Sequence, residues 1–121
     1  MICEAFDIVV IPFPFADRNV TRRRPALVLS SYEDFGKDSG VAVVAMITAA
    51  TRSNWPFDVP VTDLASAGLR HDCVVRMKLA SIDYRCILDH TGRLSEADAV
   101  AVSNSLDRLL PRVGPPVPHQ G

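Results

Sequence analysis

The sequence predicts a single, mainly β domain: a small antiparallel barrel with one C-terminal helix. The chain has 121 residues, the length of one ordinary domain. Its apolar residues fall into about six short runs rich in β-branched and aromatic side chains, which is typical of a small barrel. Near the end, a helical apolar stripe replaces this pattern. The longest apolar run, residues 41–47, is far shorter than the ~20 residues of a membrane helix. We therefore expect neither a second domain nor a membrane span.

The first two strands are predicted over residues 7–15 and 25–31. The first, DIVVIPFPF, is rich in β-branched and aromatic residues. Pro12 and Pro14 place its second half at a sheet edge or a bend, because proline cannot donate to a ladder. Residues 16–24 are polar and basic, and they predict the hairpin loop between the two strands.

The middle of the chain predicts four more strand segments. Residues 41–48 predict the most buried strand, with Thr48 at its end. Residues 57–61 alternate apolar and polar side chains, which predicts a short edge strand. Two further segments, residues 73–77 and 79–88, are divided near Lys78. The connecting residues 32–40 and 63–72 are predicted to be loops.

The C-terminal helix is predicted to begin after Ser95 and to end at Pro111. Ser95 provides an N-cap, and Asp98 is placed to return a hydrogen bond to it. The apolar stripe consists of Val102, Leu106, Leu109 and Leu110. Residues 111–121 contain four prolines and two glycines, so we expect a disordered tail after a single domain of residues 1–110.

Composition and motifs exclude several classes of protein. The three cysteines are odd in number and widely spaced, which fits neither a disulfide framework nor a zinc site and predicts reduced thiols. The N-terminus lacks a basic region and a cleavage site, so a cytoplasmic location is expected. Motifs for dinucleotide, nucleotide-triphosphate or metalloprotease chemistry are absent from the sequence. No metal and no other cofactor is therefore expected.

Arginine supplies most of the positive charge. The net charge is −1, which by itself does not predict a nucleic-acid binder, but only two of the 13 basic residues are lysines. Arg22, Arg23 and Arg24 stand directly before Pro25, which restricts Arg24 to an extended backbone. Guanidinium groups suit phosphate. The triplet is therefore either a phosphate site or a solvated loop face.

Other polar residues stand at predicted strand ends, where loops can assemble a site. Thr48 and Thr51 flank a short loop, and either a phosphate contact or a turn cap explains them. Arg76 interrupts a run of β residues and needs solvent or a partner, for which Asp72 and Asp83 are candidates.

Aromatic and titratable loop residues leave two further choices open. Trp55, close to Phe57, is suited to stacking on an unpaired base or to a place in the core or in an interface. His71 and His90 allow a two-histidine acid–base scheme, although two unlinked loop histidines are also typical of a surface.

Several strings occur in the order and approximate spacing of one family. They are DIVVIPFPF (7–15), RRRPALVLS (22–30), MIT (46–48), VVR (74–76), SID (81–83) and GRLSEAD (92–98). The chain resembles the MazF/PemK toxins of type II bacterial toxin–antitoxin pairs over residues 6–110. The resemblance implies a small SH3-like antiparallel barrel of the CcdB/PemK type, which is usually a homodimer.

The resemblance also implies a metal-independent, sequence-specific endoribonuclease that cleaves single-stranded RNA, inhibits translation and growth, and is neutralised by an antitoxin with a disordered segment. Arg24 matches the catalytic arginine of the family, Thr48 its catalytic threonine, and Arg76 a further arginine that some members use. The RNA 2′-hydroxyl would attack the adjacent phosphorus and leave a 2′,3′-cyclic phosphate and a 5′-hydroxyl. The expected RNA-binding residues are Arg22, Arg23, Thr51, Trp55 and Lys78.

The chain departs from the family pattern at two positions. Many members have glycine where Phe6 precedes Asp7, and some have aspartate where this chain has Lys78, which leaves the general base open. Gyrase-binding toxins resembling CcdB share the barrel, but they also share a C-terminal Trp-Gly-Ile sequence, whereas this chain ends in PHQG. An inactive barrel that only binds RNA is the remaining alternative.

Overall fold

The structure, a computed structural model, describes residues 2–13 and 22–114. Six antiparallel strands in this part of the chain form one sheet that curls into a half-barrel. They are β1 (Asp7–Phe13), β2 (Arg22–Val28), β3 (Val41–Ala49), β4 (Val59–Pro60), β5 (Cys73–Asp83) and β6 (Asp89–Arg93). Their order in the sheet is β4-β5-β3-β2-β1-β6. The predicted fold class is confirmed.

Short helical segments connect the strands, and one long helix follows them. The helices are α1 (Lys37–Ser39), α2 (Leu64–Ala67) and α3 (Glu96–Leu109), with a π-helical turn at Tyr32–Gly36 and 3-10 turns at Ala50–Arg52 and Tyr84–Cys86. Within the two described ranges, no helix combines the length and the apolar character that crossing a membrane requires. Of the predicted tail, residues 111–114 are exposed, and residues 115–121 lie outside the described residues.

Two apolar clusters fill the two faces of the sheet. The face that packs on Val102 of α3, here called the helix face, contributes Ile8, Leu27, Ala45, Ile47 and Val75. The other face, here called the groove face, contributes Val9, Ile11, Ala26, Val28, Val44 and Met46, together with Cys3 and Ile87. Because side chains alternate along a strand, the central strands supply both clusters.

β1 lies between β2 and β6, but only part of it pairs on both sides. Val9 and Val10 pair with β6, whereas residues 11–13 pair with β2 alone among the described strands. Pro12 therefore lies where only one neighbouring strand pairs with β1, so its missing N–H removes no hydrogen bond to a second strand. The predicted edge position of this half of the strand is confirmed, while residues 14 and 15 fall outside the described part.

Phe6 enters β1 with a backbone φ of 73°, in the left-handed region. Its N–H donates to the carbonyl oxygen of Val28 (2.7 Å), and its carbonyl accepts from the N–H of Leu94 (3.0 Å). A side chain strains this conformation, and glycine adopts it without cost. The left-handed backbone gives a physical reason for the glycine that the resemblance led us to expect here, and the side chain of Phe6 packs against the helix-face cluster.

The structure corrects three strand bounds. Arg22, Arg23 and Arg24 lie inside β2 rather than in the hairpin loop, because pairing with residues 11–13 extends the ladder past the apolar half of the strand. β5 is continuous, and the expected division near Lys78 is a bulge, where the pairing with β3 changes register. The segment predicted to end at residue 88 leaves β5 at Asp83.

β6 and α2 lie in stretches for which neither a strand nor a helix was predicted. β6 pairs with β1 through the polar string DHTGR, and α2 falls inside the loop predicted over residues 63–72. The strand predicted over residues 57–61 shrinks to β4, at the sheet edge as expected. Its start is wrong because Phe57 has a φ of 66°, which a strand does not permit.

Ser95 caps α3 as predicted: its Oγ accepts a hydrogen bond from the N–H of Asp98 (3.2 Å). The carboxylate of Asp98 reaches out of the helix and accepts from the N–H of Thr62 (3.0 Å), the hydroxyl of Thr62 (2.6 Å) and the N–H of Asp63 (3.1 Å). Burial raises the pKa of Asp98, but hydrogen bonds from Thr62, Asp63 and Ser95 outweigh burial and lower it below 3.8. The helix start is thereby tied to the segment after β4.

Candidate nucleic-acid interface

Three adjacent strands bring the predicted catalytic residues to the groove face. Arg24 lies two residues before Ala26 in β2, so both side chains belong to one face. Ala26 pairs with Met46 in β3, and Met46 pairs with Arg76 in β5. Thr48 lies two residues after Met46 on the same face. Arg24, Thr48 and Arg76 therefore project from one side of the sheet, although 52 residues of sequence separate the first from the last.

A cavity of about 210 Å³ lies over this part of the sheet. Its lining includes the three predicted catalytic residues and adds Lys78 from the β5 bulge and Arg52 from the turn after β3. No carboxylate among the described residues lines it. Because four basic side chains converge on one concave surface, the cavity favours an anion, and the arginines suit a phosphate group in particular.

Neutral groups hold Arg76 at this cavity. Its Nε donates to Ser53 Oγ (3.1 Å), and its Nη2 donates to the carbonyl oxygen of Arg52 (3.0 Å). The ring of Trp55 covers the guanidinium, with 4.7 Å between Cζ and the ring centroid. These contacts orient the side chain by hydrogen bonding and cation–π attraction without neutralising it.

The ion pair considered for Arg76 is wrong as regards Asp83. Asp83 pairs with Arg85 instead, with 2.8 Å between Oδ2 and Nη2. The hydrogen bonds from Arg85 lower the pKa of Asp83 to about 2. The carboxylate of Asp83 is therefore paired with Arg85, two residues further along the chain, in the turn that follows β5.

Trp55 supplies an aromatic surface beside the basic cavity. Its side chain is 41% exposed although one side of the ring contacts Arg76. A half-exposed indole that is fixed by a cation is suited to stacking on an unpaired base. The structure thus brings Trp55 next to the predicted phosphate-binding residues.

Four of the predicted RNA-binding residues, Arg22, Arg23, Thr51 and Trp55, do not line the cavity. Arg22 and Arg23 are exposed in β2, and Thr51 is exposed in the turn after β3. Strand alternation places Arg22 on the face of Arg24 and Arg23 on the opposite face. Arg22 therefore extends the basic surface, whereas Arg23 and Thr51 are peripheral to it.

Sequence reasoning missed Arg52 and Ser53. Both belong to the short connection after Thr48, and both contact Arg76. Their only signal in the sequence was their position in a loop that follows a candidate catalytic residue.

A second cavity, of about 350 Å³, is lined in part by Ile47, Leu69 and Cys73 of the helix-face cluster, and Arg24 and Thr48 border it as well. His71 lies in this lining, whereas Nε2 of His90 lies 3.3 Å from Oδ2 of Asp7. The different surroundings of the two histidines argue against a shared acid–base role. Cys73 also lines the cavity, and burial raises the pKa of its thiol, which keeps it protonated near neutral pH.

A family model for PemK-like, MazF-like toxins of type II toxin–antitoxin systems matches residues 4–110. The chain belongs to this family. The match includes all the strands, the cavity and α3, and it confirms the resemblance that the sequence strings indicated. No curated protein sequence matches this PemK/MazF-family toxin significantly.

Solved structures share the fold of this toxin. It is similar to MazF from Deinococcus radiodurans, with a TM-score of 0.70 and 23% identity over 93% of this chain and 99% of that chain. It is also similar to a MazE–MazF complex from the same organism, with a TM-score of 0.72 and 22% identity over 91% of this chain and 97% of that chain. A third similar structure is an endoribonuclease in complex with its cognate antitoxin, from a mycobacterial species. Its TM-score is 0.71, with 14% identity over 94% of this chain and 100% of that chain.

Proposed function

We propose that this toxin is an endoribonuclease that cleaves single-stranded RNA at short sequences. The observation that carries the proposal is the cavity in which Arg24, Thr48 and Arg76 meet on one face of the sheet, lined by basic side chains. The fold likeness to an endoribonuclease of a mycobacterial species supports the same class of reaction.

The reaction is a transfer within the RNA. The 2′-oxygen forms a bond to the adjacent phosphorus and loses its proton, while the bond to the 5′-oxygen breaks and that oxygen gains a proton. The products are a 2′,3′-cyclic phosphate and a 5′-hydroxyl. The nucleophile is part of the substrate, so the attack needs no metal-bound water.

The cavity residues have separate tasks in this reaction. Negative charge grows on the non-bridging oxygens of the phosphate, and Arg24 and Arg76 stabilise that charge. Thr48 orients the phosphate through its hydroxyl. These tasks demand fixed donors rather than titrating groups, which agrees with the arginine-rich lining.

Binding of the RNA strand extends beyond the cavity. Lys78 and Arg22 contact neighbouring phosphates, Trp55 stacks on a base, and Arg23 and Thr51 make peripheral contacts. Phosphate contacts of this kind give affinity that falls with salt, whereas stacking gives affinity with little dependence on sequence. Base readout then comes from the loops around Trp55.

We propose that the toxin forms a homodimer and acts in the cytoplasm, where it meets its RNA and its antitoxin. Two of the structures with a similar fold contain a toxin and its antitoxin, which supports a cognate antitoxin for this chain. Because the groove face is basic, the inhibitory segment is expected to be acidic and to fold on binding. A cognate partner that leaves cleavage unchanged at saturation would contradict this part of the proposal.

The decisive experiment incubates purified protein with a long single-stranded RNA in EDTA and maps the 5′ ends of the fragments. We expect discrete cuts that disappear with Arg24→Ala and with 2′-deoxy substitution at the cleaved position. Arg85→Ala is the matched control, because Arg85 is exposed and pairs with Asp83 at the end of β5.

A folded wild-type protein that makes no cuts would overturn the proposed reaction. Salt-dependent binding of RNA without product would identify an RNA-binding barrel, and growth inhibition without RNA binding would point to a protein-directed toxin.

A further inference from the structure

A single carboxylate oxygen connects Arg76, which lines the cavity, to Ser53 and Trp55, which contact Arg76 from beside the cavity. Oδ2 of Asp58 accepts a hydrogen bond from Ser53 Oγ (2.7 Å) and another from the N–H of Trp55 (3.0 Å). Ser53 Oγ in turn accepts from Nε of Arg76 (3.1 Å), and the Trp55 ring covers the Arg76 guanidinium. Asp58 therefore acts on both Arg76 and Trp55 without touching the cavity.

The direction of the hydroxyl proton explains why the carboxylate matters. Ser53 has one O–H donor and two acceptor lone pairs. Donation to Asp58 turns the proton away from the guanidinium and leaves a lone pair of Oγ for Nε of Arg76. Without the carboxylate, the hydroxyl is free to turn its proton toward the cation and lose this bond.

The loop that contains Asp58 has two energetically unfavourable features. Phe57 has a φ of 66°, and Oδ1 of Asp58 is buried without a hydrogen-bond partner among the described residues. Strained backbone and unsatisfied buried oxygens are uncommon and persist where the surrounding structure enforces them, often at functional sites. Here Arg108 of α3 lies over the Phe57 ring, at 4.7 Å from the centroid, and holds the loop from outside.

We propose that Asp58, acting through Ser53 and the backbone of Trp55, is a positioning residue that sets the guanidinium of Arg76 against the phosphate and the indole of Trp55 against a base. The proposal deepens the proposed ribonuclease function and rests on it for its catalytic consequence. The positioning itself is a property of the protein without RNA, and it can be measured separately.

Tryptophan fluorescence tests the positioning without any substrate, because Trp55 is the only tryptophan of the chain. Asp58→Ala and Ser53→Ala are expected to shift the emission to longer wavelength and to lower the anisotropy, since the ring loses its fixed contact with Arg76. Asp58→Asn and Ser53→Thr keep the acceptor and the hydroxyl, and they are expected to restore the wild-type emission. Asp63→Ala and Ser39→Ala, which remove loop side chains that bond only to nearby backbone, are the controls.

Single-turnover cleavage tests the catalytic consequence. Ser53→Ala is expected to lower the rate constant about tenfold, since one hydrogen bond to a charged group is lost, and Ser53→Thr to restore it within about twofold. In an Arg76→Ala background, Ser53→Ala should reduce the rate by less than about twofold, because the two residues act as one unit.

The outcomes separate the two proposals. If the wild-type protein does not cleave RNA, the proposed function fails, and the emission comparison still decides the positioning. If Ser53→Ala and Asp58→Ala are folded by circular dichroism and leave both emission and cleavage unchanged, the positioning role is wrong. Equal losses from Ser53→Ala with and without Arg76 would also overturn it.

Discussion

The middle of the sheet and its two edges differ in how their charged side chains are paired. In the middle, β2, β5 and the turn after β3 project basic side chains into one cavity, and neutral groups hold Arg76 there. At the edges, the two charged residues that are buried in the described part of the chain, Asp7 and Asp98, are surrounded by hydrogen-bond donors.

This difference separates binding from folding. A buried carboxylate with several donors stabilises the connections it makes, since removing it leaves those donors unsatisfied. A guanidinium held by neutral groups retains its charge for an external anion. The edges therefore satisfy their buried carboxylates within the chain, whereas the proposed function assigns the middle of the sheet to binding a phosphate. Each of the following changes tests one side of this contrast.

Arg76→Ala is expected to have the largest effect. The single-turnover rate of RNA cleavage should fall about 100-fold, because one charge-stabilising donor is lost from the transition state. The unfolding midpoint should change little, since the contacts of Arg76 lie at the surface of the cavity. Arg85→Ala removes the same charge from an exposed pair and should leave cleavage unchanged. Equal losses from the two variants would contradict a specific role for Arg76.

Asp98→Ala is expected to cost about 2 kcal/mol of unfolding free energy, because the backbone N–H groups of Thr62 and Asp63 lose a charged acceptor. Urea unfolding measures this loss. Cleavage at 25 °C should persist, since α3 and the segment after β4 lie outside the cavity. A loss of activity larger than the loss of folded protein would contradict the separation of edge and middle.

The contribution of Asp98 also depends on pH. Its pKa in the folded protein is lower than in the unfolded chain, so the unfolded state binds the proton more readily. The stabilisation is therefore complete above the unfolded pKa of about 4 and is lost as the pH falls through that value toward the lower folded pKa. The difference in stability between the wild-type protein and Asp98→Ala should shrink below about pH 4, and a constant difference would refute this account.

Asp7→Ala is expected to lower the free energy of unfolding by about 1 kcal/mol. Its carboxylate accepts from the N–H of Glu4 (2.8 Å) and from Nη1 of Arg93 (2.8 Å), but Arg93 is more than half exposed, so water screens the pair. Thermal unfolding measures the change. Asp107→Ala, at an exposed pair with Arg112, should leave the midpoint unchanged.

Lys78→Ala is expected to have the smallest effect. Affinity for a non-cleavable 2′-deoxy-substituted RNA should fall about threefold at low salt, and the slope of log K against log salt should decrease by about 1, as for the loss of one phosphate contact. Lys37, the other lysine, pairs with Glu33 before α1, so Lys37→Ala is the matched control. An unchanged slope in Lys78→Ala would exclude this lysine from the RNA path.

The sequence predicted the elements whose local pattern is strong. β3 contains an unbroken apolar run over residues 41–47, and α3 has a cap, an apolar stripe and a proline after it, so each was recognisable without its neighbours. β6 was missed because its polar string becomes a strand only by pairing with β1. The start of β2 was missed for the same reason, since three consecutive arginines enter the sheet only where β1 provides a partner.

The candidate site divides in the same way. From the residue patterns alone, phosphate recognition by Arg24, Thr48 and Arg76 stood beside a solvated loop face, a turn cap and an ion pair. The family strings in the sequence were what selected the phosphate chemistry and identified the class of toxin. Only the tertiary structure decided that Arg24, Thr48 and Arg76 share a face, that neutral groups rather than an ion pair hold Arg76, and that Asp58 lies behind it. These contacts depend on strand register and on the path of one loop, and both are set by pairing between segments that are distant in the sequence.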